Sequence, residues 1–419
     1  MQNGRKDRCN KLKKYKMKKI GGAFGKYNGN EFKYLKYFLQ TENKNFKKID
    51  WITNLEKKFS QISNFKYSIA VNSGTSGLHA ALYACGIKTG DEVISPALTV
   101  IMDTFATLMC GAKPVYVDVD PDTFNITLDN IKKKITKKTK AIITVSLFGL
   151  PCDLKPILEF AKNKKIYVID DSAETIHGYY KNKFSGLYSD VAVYSFENKK
   201  HLTTGSEGGM VATNNKQLAI KIRKFSGLGY KALRPLAGRS SLDPKIFQNP
   251  NYLRHDSFGY NYRLNKISCA IGLAQLERSK MIVDRRIKVA KIFINVIKDC
   301  KWLIAQKVTK NCKHSYFTLA LKYEGMFYFG LSWSYFYKKF KANGGDGFYA
   351  AWMLPFNEPF IKNSKKIIVN KKECSNATEL QKKLVLLKTN YRDLNDAKRQ
   401  AKFLKKTINQ INSKFIKKD

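Results

Sequence analysis

Between Lys66 and Asn214 the chain alternates short apolar or β-branched runs with longer stretches whose apolar residues recur at helical spacing. Seven of the short runs predict strands: Tyr67–Val71, Glu92–Ser95, Pro114–Val117, Ala141–Val145, Ile166–Ile169, Val191–Ser195 and Gly209–Ala212. Between them, Ser76–Cys85, Ile101–Cys110, Leu128–Ile135 and Leu154–Asn163 predict helices. Strand–helix–strand alternation builds a mostly parallel sheet with helices on both faces. The expected class is therefore α/β, with a mostly parallel seven-stranded sheet. Right-handed crossovers gather the loops that follow the strand C-termini at one edge, where ligands bind in such sheets.

The pattern changes after Gly259. Arg263 to Asp299 predicts one long helix with few breakers. There follow an alternating run His314–Tyr323, a helical run Tyr335–Lys341, a turn Gly344–Gly347 and a basic, mostly helical stretch Ala377–Phe415. This second region predicts a smaller α+β domain. The division expected is a basic, disordered tail over 1–20, a large domain over 21–285 and a small C-terminal domain over 286–419. No internal repeat is visible.

Composition sharpens the picture in three places. With 419 residues and 43% apolar content the chain can bury a large core and a smaller one. The formal charge of +44 raises nucleic acid or an anionic membrane as partners. The excess is mostly Lys spread along the whole chain, without an aromatic-interleaved platform or a recognition-helix pattern, so neither partner is expected. No run approaches the ~18 apolar residues of a membrane span. The eight cysteines form no C-x-x-C pair and no zinc-like cluster, which fits a reducing cytoplasm and predicts no metal site.

Four constellations fall at or beside predicted strand ends. Asn72-Ser73-Gly74-Thr75-Ser76-Gly77 opens a helix, and its free N–H groups suit a phosphate; simple N-capping by Ser73 explains it as well. Asp170-Asp171-Ser172-Ala173-Glu174 follows an apolar strand, where a carboxylate is costly unless it pairs with a cation or caps a helix. Ser195 to Leu202 follows another strand and carries Lys200 ahead of a glycine-rich turn. Arg254 to Arg263 leads into the long helix.

These motifs, in this order, resemble the DegT/DnrJ/StrS aminotransferases, the sugar aminotransferases of pyridoxal-phosphate (PLP) fold type I. The likeness is clear from Gly21 to Glu277 and looser beyond. It rests on Ser73 to His79 for S-G-T-S-x-L-H, Asp170 to Glu174 for E-D-x-A-(Q/E/H), and Ser195 to Lys200 for S-F-x-x-x-K. Gly259 to Arg263 matches G-(F/Y)-N-Y-R, and Gly272 to Glu277 matches G-L-A-Q-L-E. The chain departs from the pattern at Val100, where an aromatic residue is common, and at Ser206, inserted between Gly205 and Glu207.

The resemblance implies PLP as cofactor and Lys200 as the lysine that joins it covalently. It implies that Asp171 pairs with the ring nitrogen and that Glu174 lies near the phenolic oxygen. Gly74, Thr75, Ser76 and Ser195 would hold the phosphate, and Asn261 would reach the phosphate of a neighbouring subunit in a homodimer with shared active sites. The implied reaction takes an amino group from glutamate or glutamine to a keto-sugar, with a nucleotide-linked sugar the leading class, in amino-sugar or surface-polysaccharide biosynthesis. Candidate substrate contacts are His255, Arg263, Tyr349 and Trp352, for which interface or core packing is the competing reading. Ser206 opens a register question between Lys200 and His201; histidine at the lysine's place would imply a PLP-dependent sugar dehydratase. A keto-inositol acceptor, a non-catalytic protein on the same fold and a nucleic-acid-binding protein also compete with the amination of a nucleotide-linked sugar.

Overall fold

The computed structural model describes residues 26–40, 49–236, 244–364 and 371–415. The basic tail expected over 1–20 lies outside the described residues.

The strands in chain order are β1 (Tyr67–Val71), β2 (Glu92–Pro96), β3 (Lys113–Val117), β4 (Thr139–Val145), β5 (Tyr167–Asp171), β6 (Tyr179–Tyr180) and β7 (Lys183–Phe184). They continue with β8 (Val191–Ser195), β9 (Gly209–Thr213), β10 (Leu303–Ala305), β11 (Cys312–Lys313), β12 (Thr318–Tyr323) and β13 (Leu384–Lys388). Seven of them form the large sheet in the order β1-β9-β8-β5-β4-β2-β3. Strand β9 runs antiparallel to both neighbours, and the other pairings are parallel. The sheet is thus the mostly parallel seven-stranded one that the sequence predicts.

Alternation along the strands divides two apolar layers. Ile69, Val71, Ile143, Val145, Ile169, Val193 and Val211 face helices Gly74–Ala84, Met102–Met109 and Lys216–Ser226. Ile94, Val117, Ile142 and Val168 face helix Leu154–Asn163. On that same side Ala192, Tyr194, Met210 and Ala212 face helices Trp51–Ser63 and Lys266–Glu277. A Cβ on Gly77 would stand 2.9 Å from Val193 and 3.0 Å from Val211. Glycine there lets the helix opened by Gly74 press onto the sheet.

The small sheet β10-β12-β13 is antiparallel. Its core gathers Trp302, Phe336, Phe340, Leu404 and Ile408 with Val289 and Phe293. Strand β11 pairs instead with the hairpin β6–β7 of the large sheet's connections.

Three sequence expectations need correction. The long helix is two, Lys266–Glu277 and Ser279–Ile297, broken at Arg278 with φ −113° and ψ 10°. Arg278 points its guanidinium at buried Glu31, 3.7 Å away, and no glycine or proline marks the break. The C-terminal stretch holds β13, whose Leu-Val-Leu-Leu run pairs with β12 between helices Ser375–Lys383 and Leu394–Phe415. Strand β5 runs through Asp171, so the two aspartates end the strand rather than follow it.

The free edge of β1 is sealed by a buried ion pair. Glu56 accepts from the Ala70 N–H at 2.8 Å and from both Arg223 Nη atoms at 3.1 and 2.7 Å. Removing one partner strands the other charge in the interior. Glu56→Ala is expected to destabilise the fold by about 3–5 kcal/mol. Asp129→Ala, in the exposed pair with Lys132, should cost under ~1 kcal/mol. Urea denaturation of the two variants checks the contrast.

Candidate active site

The site is built where β1, β5 and β8 end. Ser73 caps helix Gly74–Ala84 through a capping box: its hydroxyl accepts from the Ser76 N–H at 3.0 Å, and the Ser73 N–H donates to Ser76 Oγ at 3.1 Å. Ser76 Oγ also donates toward Asn72 Oδ1 at 2.6 Å. Ser76 therefore spends its polar atoms inside the turn. The N–H groups of Gly74 and Thr75 are the first-turn donors left for an outside acceptor. A Cβ on Gly74 would lie 3.1 Å from Ser195 Cβ and 3.5 Å from its Oγ. The glycine thus brings the positive end of the helix against the Ser195 hydroxyl, a cradle for a phosphate.

The last two residues of β5 point to opposite faces. Asp170, fully buried, accepts from Thr144 Oγ1 at 2.7 Å, from Ser146 Oγ at 3.2 Å and from the Ser172 hydroxyl. Burial still pushes its carboxyl up to about 6. Asp171, on the face of helix Gly74–Ala84, accepts from the Ala173 N–H at 2.9 Å. Burial pushes it up to about 7, against the Ala173 hydrogen bond and the Lys200 charge, which favour ionisation. The capping explanation accounts for Asp170 and Asp171 poorly, since neither caps a helix in the structure.

Lys200 lies in the turn after β8. Its Nζ donates to Glu174 Oε1 at 3.0 Å and sits 4.8 Å from the centre of the Phe317 ring. The other Glu174 oxygen accepts from the Phe148 N–H at 2.9 Å. His201, next in sequence, is buried, its Nε2 3.3 Å from the Ser315 carbonyl. Burial, with Arg286 and Lys200 nearby, keeps that imidazole neutral, well below its ordinary pKa. On the register question, Lys200 is the side chain that meets Glu174.

The remaining candidates divide. Trp352 stacks on Phe148 at 5.5 Å, one residue's backbone away from Glu174. Tyr349 is 71% exposed and pairs through its backbone with Leu386. Asn261 and Arg263 are exposed and joined by a 2.9 Å hydrogen bond, beside the end of β1 through the Val71–Arg263 bridge. His255 is exposed, bonded to the Leu228 carbonyl at 2.7 Å and packed on Tyr230. The structure does not bring Tyr349 or His255 to the Lys200 cluster.

Four further residues belong to this neighbourhood. Phe148 and Phe317 flank Glu174 and Lys200. Arg286 is buried and donates to the carbonyls of Phe317 at 2.9 Å and Lys200 at 3.4 Å. Asp103, fully buried in the first turn of helix Met102–Met109, accepts from Thr99 Oγ1 at 2.8 Å. An acidic first-turn residue was the one local signal for Asp103; the others come from segments without a motif. Among the described residues no group of three or more metal-ligating side chains forms, and no helix is long and apolar enough to cross a membrane. The seven described cysteines are free.

A mostly parallel α/β sheet with a buried aspartate, a lysine and a helix N-terminus at one edge defines an aminotransferase fold. The chain belongs to the DegT/DnrJ/EryC1/StrS aminotransferase family, which it matches over residues 29–395. It is 38% identical to the GDP-perosamine synthase of Escherichia coli O157:H7 over 272 residues, covering 65% of this chain and 69% of that one. It is 44% identical to the GDP-perosamine synthase of Caulobacter vibrioides over 228 residues, 54% of this chain and 57% of that one. The solved aminotransferase of Psychrobacter cryohalolentis superposes with a TM-score of 0.83 at 25% identity, over 94% of this chain and 99% of that one.

Asp171 makes stability depend on pH. Its folded pKa lies above the unfolded value of 3.8, so the folded chain holds the proton longer. Without a cationic partner bound, the Asp171 contribution is fully present below about pH 4 and is lost as pH rises toward about 7. Asp171→Asn should flatten the fall in stability between those values, read as urea midpoints of cofactor-free protein across pH.

Proposed function

We propose that this chain is a PLP-dependent aminotransferase that carries an amino group from glutamate or glutamine to a GDP-linked keto-sugar, with Lys200 as its cofactor lysine. The observation that carries the reading is the meeting of Lys200 with Glu174 beside buried Asp171, next to the Gly74–Ser195 cradle. Those residues fit PLP: N–H groups and a hydroxyl for its phosphate, a buried carboxylate for its ring nitrogen, an amine for its aldehyde. When bound, PLP supplies an electron sink conjugated to the carbon that loses its proton.

The chain's residues do the rest. Gly74 and Thr75 N–H groups and Ser195 Oγ bind and orient the phosphate. Asp171 holds a proton at the ring nitrogen; a cation there offsets the burial that otherwise keeps this carboxyl protonated. Lys200 Nζ would take and return protons at the substrate carbon. Glu174, pinned by the Phe148 N–H, orients Lys200 Nζ. We assign residues from 286 onward to a small domain that lends Phe317 and Trp352 to this site. The exposed Asn261 supports a homodimer in which it reaches the partner's phosphate.

The GDP-sugar acceptor rests on the two perosamine synthases and on a fold match to a GDP-4-keto-6-deoxymannose-3-dehydratase bound to GDP-perosamine, with TM-score 0.76 and 23% identity over 90% of this chain and 97% of that one. That Lys200, and not His201, meets Glu174 favours amination over dehydration.

Borohydride reduction of the PLP-loaded protein should fix the cofactor mass on the peptide containing Lys200. Lys200→Ala should lose that adduct and lower turnover by about 10²–10⁴-fold. With 15N-glutamate and a panel of GDP-linked and other nucleotide-linked keto-sugars, label should enter the GDP-linked sugars. Loss of a hydroxyl without label transfer would establish the dehydratase instead.

A further inference from the structure

Asp103 is used by nothing described so far, and its chemistry is unusual. The residue is 0% exposed, one carboxylate oxygen accepts from Thr99, and the other is buried with no hydrogen-bond partner. An interior carboxylate with one oxygen left unpaired in this way is expensive. The topology says what it faces. Strand registers run Ile94–Ile142–Val168 across β2, β4 and β5, which puts Ala97, just past β2, level with Asp171. The chain then turns through Thr99 into helix Met102–Met109. Asp171 shares its strand face with Ile169, whose cluster includes Ala106 of that same helix. Asp103 and Asp171 therefore approach one another from helix and strand on one side of the sheet.

We propose that Asp103 is a second carboxylate for the cationic end of the cofactor ring, a positioning residue that acts through Asp171. The inference rests on the PLP reading above. Two buried carboxylates in each other's field do not both ionise unless a cation joins them. A protonated ring nitrogen at Asp171 is such a cation, and the charge of Asp103 strengthens its hold on that proton. The groups that face the pair are Tyr116 from β3, Thr99 from the preceding loop, and Lys200 and Glu174 beside Asp171, while the charge of Asp170 acts on it from the other face of β5. Asp103 touches no reacting atom in this scheme.

The test is a pH titration of the visible absorbance of the full chain loaded with PLP, run on wild type, Asp103→Asn and Thr99→Val. Removing a negative charge near a cationic chromophore lowers the pH at which it gives up its proton. Asp103→Asn should move the midpoint down by about one unit. Thr99→Val, which removes the hydrogen bond that favours the charged form of Asp103, should move it the same way by less. Cofactor phosphate binding is left in place in both, so PLP should still be retained on a desalting column. Unmoved midpoints in variants that keep PLP overturn the proposal, as does an upward move. If Asp103→Asn does not fold, Thr99→Val alone decides by the same criterion. A wild type that develops no visible band with PLP overturns the cofactor reading and this inference together, whereas a normal wild-type titration with unmoved variants overturns this inference only.

Discussion

A carboxylate loses its hydration when a protein buries it, and the loss costs several kcal/mol unless hydrogen bonds or a cation replace the water. The C-terminal edge of this sheet buries four: Asp103, Asp170, Asp171 and Glu174. They are met differently. Asp170 has hydroxyl donors from Thr144, Ser146 and Ser172, and its role is complete within the fold. Glu174 has the Phe148 N–H and the Lys200 ammonium. Asp171 and Asp103 have one hydrogen bond each, and the free Asp103 oxygen has none. The acidic charge that the fold leaves least compensated lies on the face of helix Gly74–Ala84, next to the turn whose N–H groups point outward. A ligand that is cationic at one end and doubly anionic at the other satisfies both deficits at once. That single electrostatic demand explains why the lysine, the aspartate and the glycine turn occur together.

Much of this was legible along the chain because parallel sheets advertise themselves. Each main strand is a short apolar run bounded by turn residues, and each of the predicted runs overlaps a strand of the large sheet. The site motifs were legible for the same reason, since a strand's C-terminus is followed by a loop whose residues are free to carry chemistry. Where the reading failed, the cause was tertiary. The helix breaks at Arg278, whose guanidinium lies against Glu31, a residue far earlier in the chain. Strand β13 has a run of four apolar residues that periodicity cannot separate from a buried helix, and only pairing with β12 decides it. Phe148, Phe317 and Arg286 carry no motif; they reach Lys200 through contacts that no local pattern encodes.

The charge of +44 was the feature most open to misreading. In the structure the Lys excess is largely solvated, as with Lys132, Lys155 and Lys382, whose side chains are half exposed or more. Three cations among the described residues have a structural task, and they lie largely out of water. Arg223 seals β1, Arg278 holds Glu31, and Arg286 props the Lys200 loop. Net charge therefore describes the surface, whereas the site is described by which cations lose water.

Arg286 shows how the two cores are made to depend on one another. Burial lowers its pKa only to about 10, so it remains a cation at neutral pH. Its donors go to the carbonyls of Phe317 and Lys200 and to the Thr389 hydroxyl. One guanidinium on helix Ser279–Ile297 thus ties the residue before β12, the residue after β13 and the backbone of Lys200. Its hydrogen bonds are to dipoles rather than to a carboxylate, so its charge is not neutralised on the spot. Phe317, held by this contact, places its ring under both Arg286 and Lys200 Nζ, where the aromatic face stabilises cations. Displacing the small sheet would remove the Phe317 ring and carbonyl and the Thr389 hydroxyl together, and leave Arg286 with the Lys200 carbonyl alone among these partners. The lysine's position is consequently a property of the whole chain and not of the S-F-x-x-x-K segment that first marks it.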